Sequence, residues 1–405
     1  MKRTAVLIVV AVLAAAIAAG AAPVAATPDV PAVFAVPAAP APAAARWVIQ
    51  PTPSRHVPGN ELFGVSCTSP AACTAVGYSG AIFIVLNAPD KPRPVTLAQR
   101  WDGRRWTIQP TPNPSGASIS VLFGVSCAAR QACTAVGDAE TGKVVRALAE
   151  RWDGRRWTIQ PTPSPAGAVF STLAGVSCPA SGECVAVGYS YRSLAGPIFA
   201  FTERWNGTRW ALGGTIAPAG ASETFLNSVS CPATRRCTAV GSFDSVPGGF
   251  RPLAEAWNGV RWQRQPMPGT GELHGVWCRP VSCAAVGEQP AHQGLYNVAL
   301  AMRWNGRRWA AQPMPDPRGA TQTFLYGVSC PTAASCTAVG FTGGNLGVLV
   351  AERWNGVRWI LQAAPNPKGS ELTVLNGVSC GSPAACEGAG VYNLPSGTKT
   401  LAEIG

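Results

Sequence analysis

The fourteen cysteines of this chain form seven close pairs, and this regularity constrains the fold more than any other feature. Five residues separate the two cysteines of each pair except the fifth, where four do. Paired cysteines at a constant spacing indicate local disulfides, which form in oxidising compartments. The predicted pairs are Cys67 with Cys73, Cys127 with Cys133, Cys178 with Cys184, Cys231 with Cys237, Cys278 with Cys283, Cys330 with Cys336 and Cys380 with Cys386.

Zinc binding is the alternative use of paired cysteines. A structural zinc site favours two residues between its cysteines and usually adds histidine. The chain has three histidines, His56, His274 and His292, and none of them recurs with the cysteine pairs. The sequence therefore predicts seven disulfides within repeats, no free thiol and no metal site.

The first 45 residues have the composition of export and linker segments. Lys2 and Arg3 precede a run of small apolar residues from Ala5 to Ala19, with small residues for cleavage near Ala21 or Ala26. This pattern is typical of a secretory signal and too short for a preferred membrane span. Residues 27–45 are mostly Ala, Pro and Val, which cannot form a core. We expect a signal peptide over 1–26, a linker over 27–45 and a secreted, folded domain over 46–405.

The cysteine pairs mark a repeat of about fifty residues. The copy from Leu325 to Gln362 contains the segments LYGVSC, CTAVG, LVAERW and NGVRWILQ. Val, Thr and Trp favour strands, while Gly, Pro and Asn interrupt them. Each repeat is predicted to form four short antiparallel strands, with a disulfide across the first hairpin and an Asp-Gly or Asn-Gly turn in the second. Seven such units predict an all-β, seven-bladed β-propeller.

The two ends of the repeat region complement one another. Arg46 to Gln50 matches the second half of a Trp-containing hairpin, and Leu401 to Ile404 matches the first half. Pairing of these segments would complete the last blade and remove two exposed sheet edges. We therefore predict that the ring is closed by the N-terminal and C-terminal strands.

Short motifs in the repeats resemble two known kinds of propeller. The segment WNGRRWAAQPMP, from Trp304 to Pro315, resembles the end of a kelch repeat, although kelch's double glycine is here a single one, as at Gly340. The hairpin WDGRRW, at Trp101 to Trp106 and again at Trp152 to Trp157, is similar to repeats of bacterial seven-bladed lectin propellers. The whole pattern resembles a secreted, cysteine-paired repeat family of high-GC bacteria. These resemblances imply the fold strongly and a function weakly.

Repeated aromatic and charged residues lie on the second hairpin of each repeat. Two tryptophans flank six of the turns, and we expect them to pack between neighbouring blades. The adjacent acids and bases are interpreted as a structural charge lattice. A lectin with repeated sugar sites between the blades is the alternative, and it requires the side chains to be exposed. The charged residues are Glu150, Glu203, Glu255, Glu352 and Glu403, with Arg151, Arg204 and Arg353 after three of them.

The net charge of +12 comes largely from arginines at one repeated turn position. Strand order places these turns on one face, where they would form a ring of positive potential. An anionic wall polymer, an acidic glycan or a protein at the cell surface fits such a ring, whereas a nucleic acid does not suit a secreted chain without a recognition motif. The alternative to a binding site is a solvated basic rim that only supplies net charge for solubility. The arginines are Arg105, Arg156, Arg209, Arg261, Arg308 and Arg358.

Two departures from the repeat are candidates for an asymmetric site. The segment from Tyr78 to Val95 is a long insertion, expected on the face opposite the arginine turns. The fifth repeat has a shortened cysteine loop flanked by His274, Trp277 and Arg279. Sequence drift is the simpler explanation of the second departure.

Catalytic motifs are missing from the sequence. It contains no nucleophile elbow, Walker loop, calcium loop or zinc motif. Asp and Gly are adjacent in DGRRW, unlike the sialidase Asp-box, and most carboxylates belong to the repeats. We expect a secreted, noncatalytic binding or scaffolding propeller that is monomeric and has no cofactor. The lectin is the alternative function, and an extracellular enzyme with one asymmetric pocket ranks third.

Overall fold

Twenty-eight β-strands make up the regular structure of the described chain. The structure is a computed structural model, and it describes residues 46–81, 92–244, 249–291, 294–343 and 347–405. The predicted signal peptide and linker, and residues 82–91 of the predicted insertion, lie outside the described residues.

The strands form seven antiparallel four-stranded blades. Five of them are separate sheets, and blades 2 and 3 are joined into one eight-stranded sheet by a parallel pair of residues, Val145 and Phe170. Blade 1 contains β2 (Asn60–Ser69), β3 (Ala72–Ser79), β4 (Val95–Trp101) and β5 (Trp106–Gln109). Blade 2 contains β6 (Ile119–Ala129), β7 (Ala132–Thr141), β8 (Val144–Trp152) and β9 (Trp157–Gln160). Blade 3 contains β10 (Phe170–Ala180), β11 (Glu183–Tyr191), β12 (Ile198–Trp205) and β13 (Trp210–Gly213). Blade 4 contains β14 (Thr224–Ala233), β15 (Arg236–Asp244), β16 (Phe250–Trp257) and β17 (Trp262–Gln265).

The remaining blades follow the same order, and the last one combines both ends of the domain. Blade 5 contains β18 (Glu272–Arg279), β19 (Ser282–Ala291), β20 (Tyr296–Trp304) and β21 (Trp309–Gln312). Blade 6 contains β22 (Gln322–Thr332), β23 (Ser335–Gly343), β24 (Val348–Trp354) and β25 (Trp359–Gln362). Blade 7 contains β26 (Thr373–Ser382), β27 (Ala385–Leu394), β28 (Gly397–Ile404) and β1 (Val48–Gln50). The predicted seven-bladed propeller is thereby confirmed.

Closure of the ring occurs through β1 and β28, as predicted. These strands pair antiparallel, with Val48 opposite Ile404 and Gln50 opposite Ala402. Trp47 is buried in the layer between blades 6 and 7. The outer edge of β28 is therefore paired, and blade 7 has all four of its strands.

All seven predicted disulfides are formed within repeats, and no free cysteine occurs in the described ranges. Each bridge joins the end of a blade's first strand to the start of its second strand. The bonded pairs, from blade 1 to blade 7, are Cys67 with Cys73, Cys127 with Cys133, Cys178 with Cys184, Cys231 with Cys237, Cys278 with Cys283, Cys330 with Cys336 and Cys380 with Cys386. The structure agrees with the sequence-based pairing at every one of these cysteines.

The disulfides define one side of the ring. In blade 1 the two cysteines are register partners, and Cys73 is in turn opposite Trp101 of β4. The disulfide loop and the turn after the third strand therefore lie at one end of the blade. We call this side of the ring the disulfide face, and the side with the loops between second and third strands the connector face.

The core consists of apolar layers between neighbouring blades. Between blades 1 and 2, for example, Val76 and Ala98 pack with Leu122, Trp152 and Trp157. Val, Leu and Ala on the covered faces of the strands supply most of each layer, because both faces of a blade contact a neighbour. The second tryptophan of each hairpin is buried in such a layer, which confirms the predicted packing role.

Two repeated hydrogen bonds also join the blades. In the inner strands, the serine before a blade's first cysteine accepts from the next blade, as where Cys127 N donates to Ser66 Oγ at 3.0 Å. The same bond joins Cys67 N to Ser379 Oγ and so crosses the closing seam. In the outer strands, an indole N–H donates to the preceding blade's glutamine, as from Trp157 to Gln109 at 2.9 Å. Ring closure therefore repeats the ordinary contacts between blades.

Candidate functional site

The predicted arginine turns lie on the disulfide face. The glycines of the six turns have φ between 93° and 96°, a conformation that favours glycine. In blade 1, Asp102 Oδ1 accepts the backbone N–H groups of Arg104 and Arg105 at 2.8 and 2.9 Å. These hydrogen bonds hold the pKa of Asp102 below its ordinary value. Trp101 Nε1 donates to the Pro70 carbonyl of the disulfide loop at 3.2 Å, so this turn is braced against that loop.

All six arginine side chains of these turns are exposed. No carboxylate forms an ion pair with any of them among the residues that the structure describes. Four of the six turns begin with asparagine rather than aspartate, which removes the nearest acid. The arginines are Arg105, Arg156, Arg209, Arg261, Arg308 and Arg358.

Other residues on the disulfide face increase its positive charge. Exposed arginines also occupy the turns at Arg104, Arg155 and Arg307, and the disulfide loops at Arg130, Arg235, Arg236 and Arg279. The exposed carboxylates of these turns and loops are Asp102, Asp153 and Glu183. The face is therefore strongly basic. The connector face carries both signs, and its charged residues include Lys143, Arg146, Arg192, Arg251, Arg318 and Lys368 together with Glu140, Asp244 and Glu371.

The glutamates and arginines of the third strands have structural roles but do not form ion pairs with each other. Adjacent residues of a strand point to opposite faces, so the two side chains enter different layers. Arg100 lies over the Trp152 ring of the next blade at 5.1 Å and donates to the Arg130 carbonyl at 2.8 Å. Glu150 is buried on the other side, toward blade 1. The expected charge lattice is therefore not formed: the arginines contact the next blade, and the glutamates are buried in a different layer.

Burial determines the chemistry of these glutamates. It raises the pKa of Glu150, Glu203, Glu352 and Glu403 to about 8. In blade 1 the same position holds Gln99, whose Nε2 donates to the Pro53 carbonyl at 2.9 Å. The carboxyl oxygens of Glu203, Glu352 and Glu403 have no hydrogen-bond partner among the described residues, which favours the neutral, protonated form of each. Since these glutamates and the second tryptophans are buried, they are not available to a sugar between the blades.

A central channel of about 410 Å³ runs along the first strands of all seven blades. Each of these strands has a register shift at the residue between its repeated leucine and the following glycine or serine. Such bulges re-aim side chains and are frequent near functional sites. The bulged residues all line the channel, and we call them the channel ring: Phe63, Phe123, Ala174, Asn227, His274, Tyr326 and Asn376.

Glycines next to the channel ring bring the strands close together. A Cβ on Gly64 would lie 2.9 Å from the Phe123 carbonyl oxygen and 3.2 Å from the Cα of Gly124. The first strands of blades 1 and 2 are therefore close together beside the ring, whereas blade 4 has Ser228 at the equivalent position. The ring lies at the connector-face side of these glycines.

The channel ring is divided into an apolar arc and a polar arc. Phe63 and Phe123 are neighbours with ring centroids 5.2 Å apart, and Ala174 follows them in blade 3. The other four members are polar. His274 Nε2 lies 2.6 Å from Glu288 Oε2, and the His274 ring lies 5.5 Å from that of Tyr326. Burial alone would lower the pKa of His274, but attraction to Glu288 and its hydrogen bond outweigh burial and raise it.

Two asparagines of the polar arc are fixed by bonds to the next blade. Asn227 Nδ2 donates to the Leu273 carbonyl, and Asn376 Nδ2 donates to the Leu62 carbonyl, both at 2.9 Å. Asn376 Nδ2 also donates to Glu61 Oε1 at 3.0 Å. Burial raises the pKa of Glu61 to about 7 despite this bond. The amide donors are occupied, which leaves the Oδ1 acceptors available.

The three predicted residues of the fifth repeat are not brought to one point. His274 belongs to the channel ring, whereas Arg279 ends β18 at the disulfide face and donates to the Pro331 carbonyl at 2.6 Å. Trp277 replaces the serine of the other repeats, lines the channel and also contacts the layer between blades 5 and 6. A cavity of about 10 Å³ there is lined by Trp277 and Arg279.

The predicted insertion between Tyr78 and Val95 starts and ends at the connector face, because β3 ends and β4 begins at that side. Its described base is held by Ala81 N, which donates to the Pro92 carbonyl at 3.0 Å.

Within the described residues, no helix is long and apolar enough to span a membrane, and no cluster of His, Cys, Asp and Glu could hold a metal ion.

Sequence reasoning found His274 but missed the other members of the channel ring. The signal is present in the repeats: the residue after the repeated leucine differs strongly between blades, while its neighbours are nearly constant. Variation at one position of an otherwise constant strand indicates that its side chain takes no part in the packing that all repeats share. The bulge turns this side chain toward the channel, and the sequence alone does not reveal the bulge.

No family model matches the chain, and no curated protein matches it. Solved structures with a similar arrangement include the Trypanosoma rangeli sialidase in complex with 2,3-difluorosialic acid, at 10% identity and a TM-score of 0.45, covering 86% of this chain and 54% of that one. The SapL1 lectin in complex with alpha methyl fucoside has 13% identity and a TM-score of 0.45, covering 76% and 97%.

A subtype N11 neuraminidase-like protein of A/flat-faced bat/Peru/033/2010 has 9% identity and a TM-score of 0.42, covering 89% of this chain and 94% of that one. The chain spans about half the length of the trypanosomal sialidase structures that it matches.

Proposed function

We propose that this protein is a secreted, noncatalytic binding propeller whose disulfide face engages an anionic polymer at a cell surface. Six exposed arginines at equivalent turn positions are the observation that carries the proposal. Seven disulfides fit the oxidising environment in which such a polymer is met.

Rigidity supports this function as much as charge does. The Asp102 or Asn206 side chain at the start of a turn accepts two backbone N–H groups, and the blade 1 turn also contacts the disulfide loop. The arginine Cα positions are thus fixed while their guanidinium groups remain free to meet phosphates or carboxylates. Repeated weak contacts to one polymer then add to a useful affinity.

The absence of ion pairs to these arginines in the described part of the chain argues further for an external anion. A rim that only improves solubility needs net charge but not one sign on one face. Here the disulfide face is basic and the connector face is mixed in sign. This asymmetry favours directed binding over general solubility.

Binding of the whole secreted chain to soluble polyanions tests the proposal. Polyglutamate and a poly(glycerol phosphate) are suitable probes, with neutral dextran as the control. We expect binding of both polyanions at about 50 mM sodium chloride and its loss by about 500 mM, because salt screens exposed charges. Equal binding of dextran, or affinity that does not change with salt, would refute the proposal.

A further inference from the structure

The channel ring has the properties of a second, separate binding site inside the ring of blades. The ring forms one end of the channel of about 410 Å³, whose lining continues from the bulges to the first cysteines, and this volume lies within the range of about 300–1,000 Å³ found for small-molecule sites. All seven ring residues are half-buried, so they border the channel without being sealed in the core. Each is supported by a rigid inner strand, which is favourable for a preformed site.

The two arcs of the ring match a ligand with one apolar face and several hydroxyl groups. Phe63 and Phe123 offer adjacent aromatic surfaces. The acceptors Asn227 Oδ1 in blade 4 and Asn376 Oδ1 in blade 7, beside Phe63, have no partner among the described residues, because only their Nδ2 groups are used. The Tyr326 hydroxyl likewise has no hydrogen bond within the described ranges.

Charge narrows the ligand class. No lysine or arginine lines the channel in the described structure, while Glu61 and Glu288 contact members of the ring. An anionic ligand would therefore meet carboxyl groups without a basic partner other than His274, which Glu288 already engages. The channel ring therefore does not suit the polyanion proposed for the disulfide face.

We propose that the channel ring binds an uncharged hexopyranose residue of a glycan. The sugar's apolar face lies on Phe63 and Phe123, since aromatic rings suit the C–H face of a pyranose. Its hydroxyl groups donate to Asn227 and Asn376 and exchange a hydrogen bond with Tyr326. The site is single and lies in the central channel, so it differs from repeated sites between blades.

Calorimetry and saturation-transfer NMR with methyl glycosides of glucose, galactose, mannose and N-acetylglucosamine test this proposal. At least one should bind the whole chain below about 20 mM, with affinity that is insensitive to salt. Sialyllactose and glucuronic acid form the anionic arm and should bind more weakly. Absence of binding to all four neutral sugars, or preference for the anionic arm, would overturn the proposal.

Two variants locate the binding. Tyr326→Phe removes one hydroxyl while keeping the aromatic contact with Phe341, and we expect about three- to tenfold weaker sugar binding. Phe63→Ala with Phe123→Ala should weaken binding at least about tenfold, and circular dichroism checks its folding. The triple variant Arg105→Gln, Arg156→Gln, Arg308→Gln should bind the sugar unchanged. Full affinity in Tyr326→Phe, which keeps the fold, would refute the assignment even if the double variant fails to fold.

Discussion

The indole Nε1 of Trp47 donates a hydrogen bond to Oε1 of Gln362 across 3.2 Å, although 315 positions separate the two residues. The same bond joins Trp106 to Gln50 at 2.7 Å, Trp157 to Gln109 and Trp210 to Gln160. The N-terminal segment therefore acts as an ordinary outer strand of blade 7. It makes the bond that most blades make, whereas the indoles of Trp262 and Trp359 have no hydrogen-bond partner among the described residues.

Trp47→Ala should destabilise the domain strongly. Trp47 is 1% exposed, and truncation of a buried tryptophan costs about 3–5 kcal/mol. The matched control is Val48→Ala, because Val48 is the next residue and is 54% exposed. Chemical denaturation with intrinsic fluorescence measures both. A similar, small loss in the two variants would contradict closure by this segment.

The buried glutamates predict that stability falls as pH rises. In the unfolded chain Glu203 releases its proton near 4.5, whereas burial raises its pKa in the folded protein to about 8. The folded state therefore binds more protons across this window, and the free energy of unfolding decreases from about pH 4.5 to about pH 8. Thermal midpoints should be higher at about pH 5 than at about pH 8.5.

Glu203→Gln tests the origin of this dependence. The neutral amide should leave stability at about pH 5 nearly unchanged and increase it at about pH 8.5, by an amount on the order of a few kcal/mol. Glu183→Gln in the same blade is the control, since Glu183 is exposed. If Glu203→Gln is as sensitive to pH as Glu183→Gln, protonation of this buried carboxyl does not contribute.

Removal of one disulfide should lower stability by a moderate amount. The bridge between Cys127 and Cys133 closes a short loop, with a sequence separation of 6. For such a loop the chain-entropy model gives about 2.4 kcal/mol. The double variant Cys127→Ser, Cys133→Ser should fold and unfold at lower denaturant concentration. Peptide mapping without reductant should find only bridges within repeats, and a bridge between repeats would contradict the blade assignment.

The fold was predictable because its signals are local and repeated. The cysteine pairs, the Asn-Gly turns and the half-hairpins at the two ends each specify a neighbouring contact, and seven copies average out the ambiguity of one. Strand bounds were less accurate: the predicted segment from Arg46 to Gln50 contributes only Val48–Gln50 to the sheet. Trp47 still packs as expected because its side chain reaches into the next layer.

The candidate sites were predictable only in part. Turn chemistry places Arg105 and its equivalents at exposed positions, so the basic face follows from the sequence. Glu150 and Arg151 are adjacent in sequence, and their separation into two layers follows from blade packing on both faces. Phe63 and Asn376 meet at the channel only because seven bulges point inward together, a condition set by ring closure.

The proposed polyanion binding depends on the arginine turns of the disulfide face. Replacement of Arg105, Arg156 and Arg308 by glutamine should weaken binding of poly(glycerol phosphate) about tenfold at low salt and leave thermal stability unchanged, because the three side chains are exposed. The matched control replaces Lys143, Arg192 and Arg318 of the connector face by glutamine, which removes the same charge.

The affinities of these two triple variants and the parent, measured side by side at about 50 mM sodium chloride, give the most direct test. We expect a clear loss of affinity for the disulfide-face variant and near-parental affinity for the connector-face variant. Equal affinities of the two variants would show that net charge alone governs binding and would contradict a binding role for the arginine turns.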